Sequence, residues 1–306
     1  MNLIEDLRSR VVTHEHRKLN TDWEQRRLKL VEGFRNPLQP TQQELLAMGN
    51  RLSAAFRLSS MVQDRSQGTL SGGGNVWQAL ICHYLNVCLA GTDAVAVTAS
   101  FVPSSIKAAL KISYTGSAAV NADLDVMVVV APDSSKQTSG RNPKRLFSEY
   151  VETRFADCSV VAIQAKTNWN DNAQIPMLWN FIYNLAWRGQ IPRNGFSVGS
   201  GSWHLSALKS FSYAFVTVPT NNLESFNPQS MPVLRVATMS GGAYWGRATR
   251  NGVIQSLTEF FAKNYNVSNH HFPAPATAGA GFAAEIANPT GEIDTAAFSL
   301  VTPSIV

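Results

Sequence analysis

The chain has 306 residues, 44% of them apolar and only 15% charged, a balance that buries a sizeable core and excludes wholesale disorder. Lys and Arg number 26 against 21 Asp and Glu, for a net charge of +5. All 26 cations fall in the first 263 residues with 18 of the acids, so a basic body of net +8 precedes a mildly acidic tail, a balance that suits a polyanionic partner.

Taken in chain order, residues 1–32 read as helical and highly charged, and Pro37 and Pro40 punctuate their end. The opening MNLIEDLRSR carries acids and arginines where a signal peptide has its apolar core, so no secretion signal is expected. Thr41-x-x-Glu44 is a capping box for a helix over 42–63, with Leu45, Met48, Leu52, Ala55 and Phe56 as its apolar stripe. Ser71-Gly72-Gly73-Gly74-Asn75 reads as a flexible turn that caps a helix from Val76 to about Leu89. Strands are expected over 94–101 and, with a weaker pattern, around 107–114.

The strongest strand signal is Asp123-Leu-Asp125-Val-Met-Val-Val-Val130, two polar alternations and then unbroken branched residues, as in a central strand whose start reaches solvent. A polar loop at 132–143, a helix over 144–156 and a buried strand over 158–166 follow. The spacing of Ile175, Leu178, Trp179, Ile182, Tyr183 and Ala186 predicts a helix over 173–187. Residues 189–202 form a Gly-rich loop, with strands expected near 211–218 and 233–238 and a helix near 252–263. This alternation argues an α/β fold with a mixed central sheet flanked by helices. The longest apolar run, near 124–131, is too short to span a membrane, so no membrane partner is expected. Cys82, Cys88 and Cys158 show neither a disulfide framework nor zinc spacing, which fits a reducing, cytoplasmic setting.

Asp123 and Asp125 are two apart, as are Gln164 and Lys166 at the end of the next strong strand. If the two strands pair, carboxylates, an amide and an ammonium converge at one sheet edge. Hard oxygen donors of that kind hold Mg²⁺, which stabilises charge on a phosphate and acidifies a bound water, while a lysine orients the water. This constellation resembles the PD-(D/E)xK nuclease superfamily, in which an Asp opens one strand and an acid-x-Lys triplet ends its neighbour. Asp125 matches the Asp, with Asp123 as the alternative, and Gln164-Ala165-Lys166 matches the triplet. Gly74-Asn75-Val76-Trp77-Gln78 stands where a helical G-N-x-x-E falls in many of these enzymes, so Gln78 matches its glutamate. The polar run from Thr167 to Trp179 is similar to the stretch after the catalytic lysine of type II restriction enzymes, and the likeness covers mostly residues 71–187.

The resemblance implies a restriction endonuclease-like core and sequence-specific, Mg²⁺-dependent cleavage of double-stranded DNA to 5′-phosphate and 3′-hydroxyl ends, with a structure-selective or defence nuclease of the same fold as the alternative. It implies Mn²⁺ as a substitute metal, metal contact by Asp123, Asp125, Gln164 and the Ala165 carbonyl, and catalysis that also involves Lys166 and Gln78. Cutting both strands calls for a homodimer. The chain departs from the pattern at Gln78 and Gln164, where glutamates are expected. A neutral amide oxygen binds Mg²⁺ more weakly than a carboxylate, so Asp123, Glu149 or Glu152 would fill in, or the chain binds DNA without cutting it. Phosphate or base contacts are expected from Lys136, Arg141, Lys144, Arg145, Asn168, Asn170, Asn172 and Arg247, against a surface-loop or capping role for each. No Walker-type G-x-x-x-x-G-K-[ST] occurs, so no nucleotide cofactor is expected. The organisation that follows is a helical region 1–65 that grips DNA or dimerises, a nuclease core with specificity loops over 66–265, and a tail 266–306.

Overall fold

The computed structural model describes residues 2–19, 23–36, 40–58, 67–115, 120–121, 124–167, 174–191, 195–217, 230–231, 234–235 and 244–246. Its centre is a five-stranded sheet in the order β1 (Ala94–Thr98), β4 (Val126–Val130), β5 (Ser159–Lys166), β7 (Ser210–Thr217) and β8 (Tyr244–Gly246). The β1–β4 and β4–β5 pairs are antiparallel, and the β5–β7 and β7–β8 pairs are parallel. The sheet is therefore mixed, as the alternation of elements predicts. A smaller antiparallel sheet joins β3 (Val120–Asn121), β2 (Lys111–Tyr114) and β6 (Phe196–Val198).

Apolar runs rich in β-branched residues make the centre of the large sheet. Every residue of β1 and β4 is buried, as are the first six of β5, so these strands are covered on both faces. The helix α7 (Gln174–Trp187) lays the buried Tyr183 ring against Phe211 and Tyr213 of β7. Trp179, partly buried, packs 6.2 Å from Tyr183. Along β1, β4 and β5 runs α4 (Gln67–Cys88). Its Asn86 side chain closes the exposed edge of β1, accepting from Ala96 N at 3.0 Å and donating to Ala96 O at 2.8 Å.

Several expectations are corrected here. The glycines 72–74 do not form a turn: α4 runs through them, starting nine residues before Val76. The cost of glycine in a helix is about 1 kcal/mol per residue, which a long apolar helix docked on the core offsets. The single strand expected around 107–114 is α5 (Ser104–Ala109) followed by β2, and β1 stops at Thr98 rather than 101. Pro103 sets the start of α5, and a six-residue helix shows too few periods to read in sequence. The Gly-rich loop 189–202 contains β6, which is set by its pairing with β2. Leu234 and Arg235 are helical where a strand was expected. The helix near 252–263 and the tail lie outside the described residues.

The N-terminal helices belong to this same body. The expected single helix divides into α1 (Leu3–Leu19) and α2 (Trp23–Leu30), and α1 packs on α4, β1 and α6 (Pro143–Thr153). Two of the cations in this region are structural. Arg8 is 1% exposed; its Nε donates to Glu5 Oε2 at 2.8 Å, and Glu5 Oε1 accepts from Gly91 N at 2.8 Å. Arg26, equally buried, donates to the carbonyls of Ala55 and Phe56 at the end of α3 (Gln42–Arg57). At its other end α3 has the capping box read from Thr41 and Glu44. Gly49 lets it approach α4, since a Cβ there would fall 2.5 Å from the Tyr84 hydroxyl oxygen. No described helix is long and apolar enough to cross a membrane.

Candidate functional site

The two motif strands are hydrogen-bonded neighbours. Val126 pairs with Ile163, so the next step of the antiparallel register sets Asp125 beside Gln164. The ladder ends there in a particular way. Asp125 N donates to Ile163 O at 3.2 Å, and Ala165 N donates to the Asp125 carboxylate, Oδ2, at 2.7 Å. A side chain thus takes the place of a backbone acceptor where β4 gives out. Asp125 and Lys166 are both half-buried, at the same end of the sheet. Lys166 shares a strand side with Gln164 and enters no ion pair among the described residues.

The two glutamines are placed in the same neighbourhood but turned to other work. Gln78, on α4, donates from Nε2 to the Asp125 carbonyl at 2.6 Å. Its nitrogen, not its oxygen, faces the motif strand, and a glutamate in that pose would set an acceptor against an acceptor. Gln164 is 1% exposed, and its Oε1 accepts from the Tyr213 hydroxyl at 2.5 Å. Tyr213 pairs in register with Ala162 across the parallel β5–β7 junction, which puts it on the strand side that carries Gln164.

The same junction brings in Thr217, opposite Lys166. Its Oγ1 is buried and has no hydrogen-bond partner among the described residues. Tyr213 and Thr217 were not singled out from sequence. Alternation along 210–217 gives their shared side, but not the strand they lie beside, because α7 and β6 intervene between β5 and β7.

Asp123, Asn168, Asn170, Asn172 and Arg247 lie outside the described residues. Lys136 is at the other end of the sheet, beyond the last residue of β4, where its Nζ donates to Asp133 Oδ1 at 2.6 Å. Arg145 pairs with Glu149 at 2.9 Å on an exposed part of α6, and Arg141 and Lys144 are exposed. Glu152 is exposed too. Among the described residues, no three His, Cys, Asp or Glu side chains gather as a metal site. All three cysteines are buried free thiols, and burial pushes Cys88 and Cys158 up to about 12, so none is poised as a nucleophile.

A second polar cluster, on α1, is closed. Glu15 is fully buried; Oε1 lies 2.9 Å from His14 Nδ1 and accepts from Thr98 Oγ1 at 2.8 Å, while Oε2 accepts from Lys18 Nζ at 2.8 Å. Beside it His16 Nε2 lies 3.1 Å from His83 Nδ1, and the Trp23 ring packs on both imidazoles. Burial lowers His16 to about 4 against the opposing pull of Glu15, and lowers His83 further through burial and the neighbouring His16.

No protein-family model matches the chain, and a search of curated proteins finds none similar to it.

Proposed function

We propose that the chain is a Mg²⁺-dependent phosphodiester hydrolase of the PD-(D/E)xK kind, cutting double-stranded DNA in the manner of a type II restriction enzyme. The observation that carries this reading is the bond from Ala165 N to the Asp125 carboxylate. It ties the start of β4 to the end of β5 and fixes the motif Asp beside the motif Lys at one end of a mixed sheet. Asp125 supplies one anionic oxygen donor, the minimum for Mg²⁺ shared among carboxylate, water and substrate phosphate. The bound ion would supply an activated water and neutralise charge on the phosphate. Lys166 orients that water and stabilises the charge that gathers on the phosphoryl oxygens as it attacks. Asp125 is held in place by the Ala165 amide, and Gln78 fixes its backbone from the α4 side. A homodimer places one such site on each strand.

The test is digestion of mixed plasmid and phage DNA with Mg²⁺ or Mn²⁺, run beside the same reaction in EDTA and with Lys166→Ala. Discrete fragments that vanish in both controls are the expected result. Loss of the lysine is expected to cost about 10²–10⁴-fold in rate, the range for a group that assists proton transfer. DNA left intact at concentrations that bind it would sink the enzyme reading.

A second reading has its own observation. The Gln164 oxygen is committed to Tyr213, and Gln78 presents its nitrogen to Asp125, so neither amide is spent on a metal. On this reading the chain binds DNA through the same edge without hydrolysing it. Tight, salt-sensitive binding with no turnover in Mn²⁺ is its signature.

A further inference from the structure

The Asp125–Lys166 edge has a neighbour. Thr98, the last residue of β1, pairs with Val126, the residue next to Asp125. The chain then turns, with Phe101 N donating to Thr98 O at 2.8 Å, and Phe101 lines an open groove of about 470 Å³ between α1 and the start of α6. Arg10, His14 and Arg17 line it from α1, and Lys144 lines it from α6. The Lys144 ammonium sits 5.7 Å from the centre of the Phe101 ring, and the His14 ring meets the same phenyl edge-on.

The groove is basic, and its charge is only partly answered. Arg17 and Lys144 are exposed and have no ion-pair partner among the described residues. Arg10 meets Asp6 at 3.1 Å, an exposed pair worth little. Glu15, the acid closest in sequence to the groove residues, lies fully buried with its oxygens already taken by Lys18, Thr98 and His14. Lys107, on α5, is lowered from its ordinary value by partial burial and then by the nearby charge of Lys144. An anion bound beside Lys144 would offset that repulsion. Hydroxyls of Ser9 and Thr13 and the Asn142 side chain complete a lining able to donate to phosphate oxygens.

We propose that this groove is a backbone track for the duplex: Arg17 and Lys144 hold successive phosphates of DNA whose scissile bond lies at the Asp125–Lys166 edge. The inference rests on the nuclease reading for the identity of the polyanion. It adds a direction, since the duplex runs from the end of β5 across the start of β4 and the end of β1 towards α1. It also separates cations that sequence alone groups together. Lys144 belongs to the track, whereas Lys136, eight residues earlier, lies at the far end of the sheet.

The experiment is fluorescence anisotropy of the full chain with a short labelled duplex in EDTA, over a range of salt. The double variant Arg17→Ala/Lys144→Ala is compared with Lys29→Ala/Lys136→Ala, which removes the same formal charge from two lysines outside the groove, each paired with an acid. The expected result is that log Kd of the first double loses about two units of its slope against log salt, one per phosphate contact. The second double keeps the wild-type slope. Equal slopes for the two doubles overturn the track while leaving DNA cutting by the wild type to stand on its own test. A flattened slope in the groove double, with a wild type that never cuts, upholds the track and removes the nuclease. A wild type with no salt-sensitive affinity overturns both.

Discussion

The closed cluster around Glu15 and the edge around Asp125 are built from similar side chains with opposite outcomes. At Glu15, a buried carboxylate is surrounded by Lys18, Thr98 and His14 so that its hydrogen-bonding capacity is consumed inside the protein. At Asp125, the carboxylate accepts from the Ala165 amide, while Lys166, at the same end of the sheet, is partly exposed and enters no ion pair among the described residues. A buried charge is tolerable only when its partners are in place, so the first arrangement can do nothing but hold the fold. The second leaves an ammonium in reach of solvent at the end of a rigid sheet, where the cost of ordering it is already met by β5. The Glu15 carboxylate is a structural group, and on the nuclease reading proposed above the Lys166 ammonium is the functional one.

That contrast can be broken from the structural side. Glu5→Ala leaves Arg8 buried without its carboxylate, and the expected loss is about 3–5 kcal/mol in urea unfolding. An unchanged midpoint would show that the buried pair is not what ties α1 to the loop after α4. A smaller effect is expected from acid. His16 is neutral when folded, with its value held down to about 4, below its ordinary value of 6.5. A depressed histidine contributes stability that is present above its unfolded value and is lost as pH falls towards the folded one, so the chain should weaken from about pH 6.5 to pH 4, by of the order of 3 kcal/mol for this group. His16→Phe, which keeps the ring beside Trp23, should make that loss shallower, with the buried His83 supplying the part that remains. If it does not, the acid sensitivity belongs to other groups.

The smallest stability effect sharpens the other side. Lys166→Ala should change the unfolding free energy by no more than about 0.5 kcal/mol, the range for substitutions that break no buried contact. The same variant carries the largest expected loss of DNA cutting. A large loss of stability would instead make Lys166 a structural lysine, and the contrast between the two polar regions would fail.

The sequence determined a good deal. The runs read at 94–101, 123–130 and 158–166 each hold a strand of the central sheet, because mostly apolar stretches rich in β-branched residues are covered on both faces. The capping box at Thr41 and the periodicity of 174–187 were legible because they are local: their partners lie within one or two turns. Asp125 and Lys166 could be named as neighbours on the condition that their strands pair, and the antiparallel register of β4 and β5 meets it.

Tertiary structure alone decided the rest. It carried a helix through Gly72–Gly74, since docking outweighs a local preference of a few kcal/mol. It chose which arginines of α1 and α2 are sealed inside and which face the groove, a distinction that residue type cannot make. It turned Gln164 to Tyr213 and Gln78 to the Asp125 carbonyl, and it set Thr217 opposite Lys166. Each of these depends on residues far apart in the chain. Local sequence encodes a residue's preference for a helix, a strand or a cap, whereas the partner of a buried polar atom is fixed only when distant strands come into register.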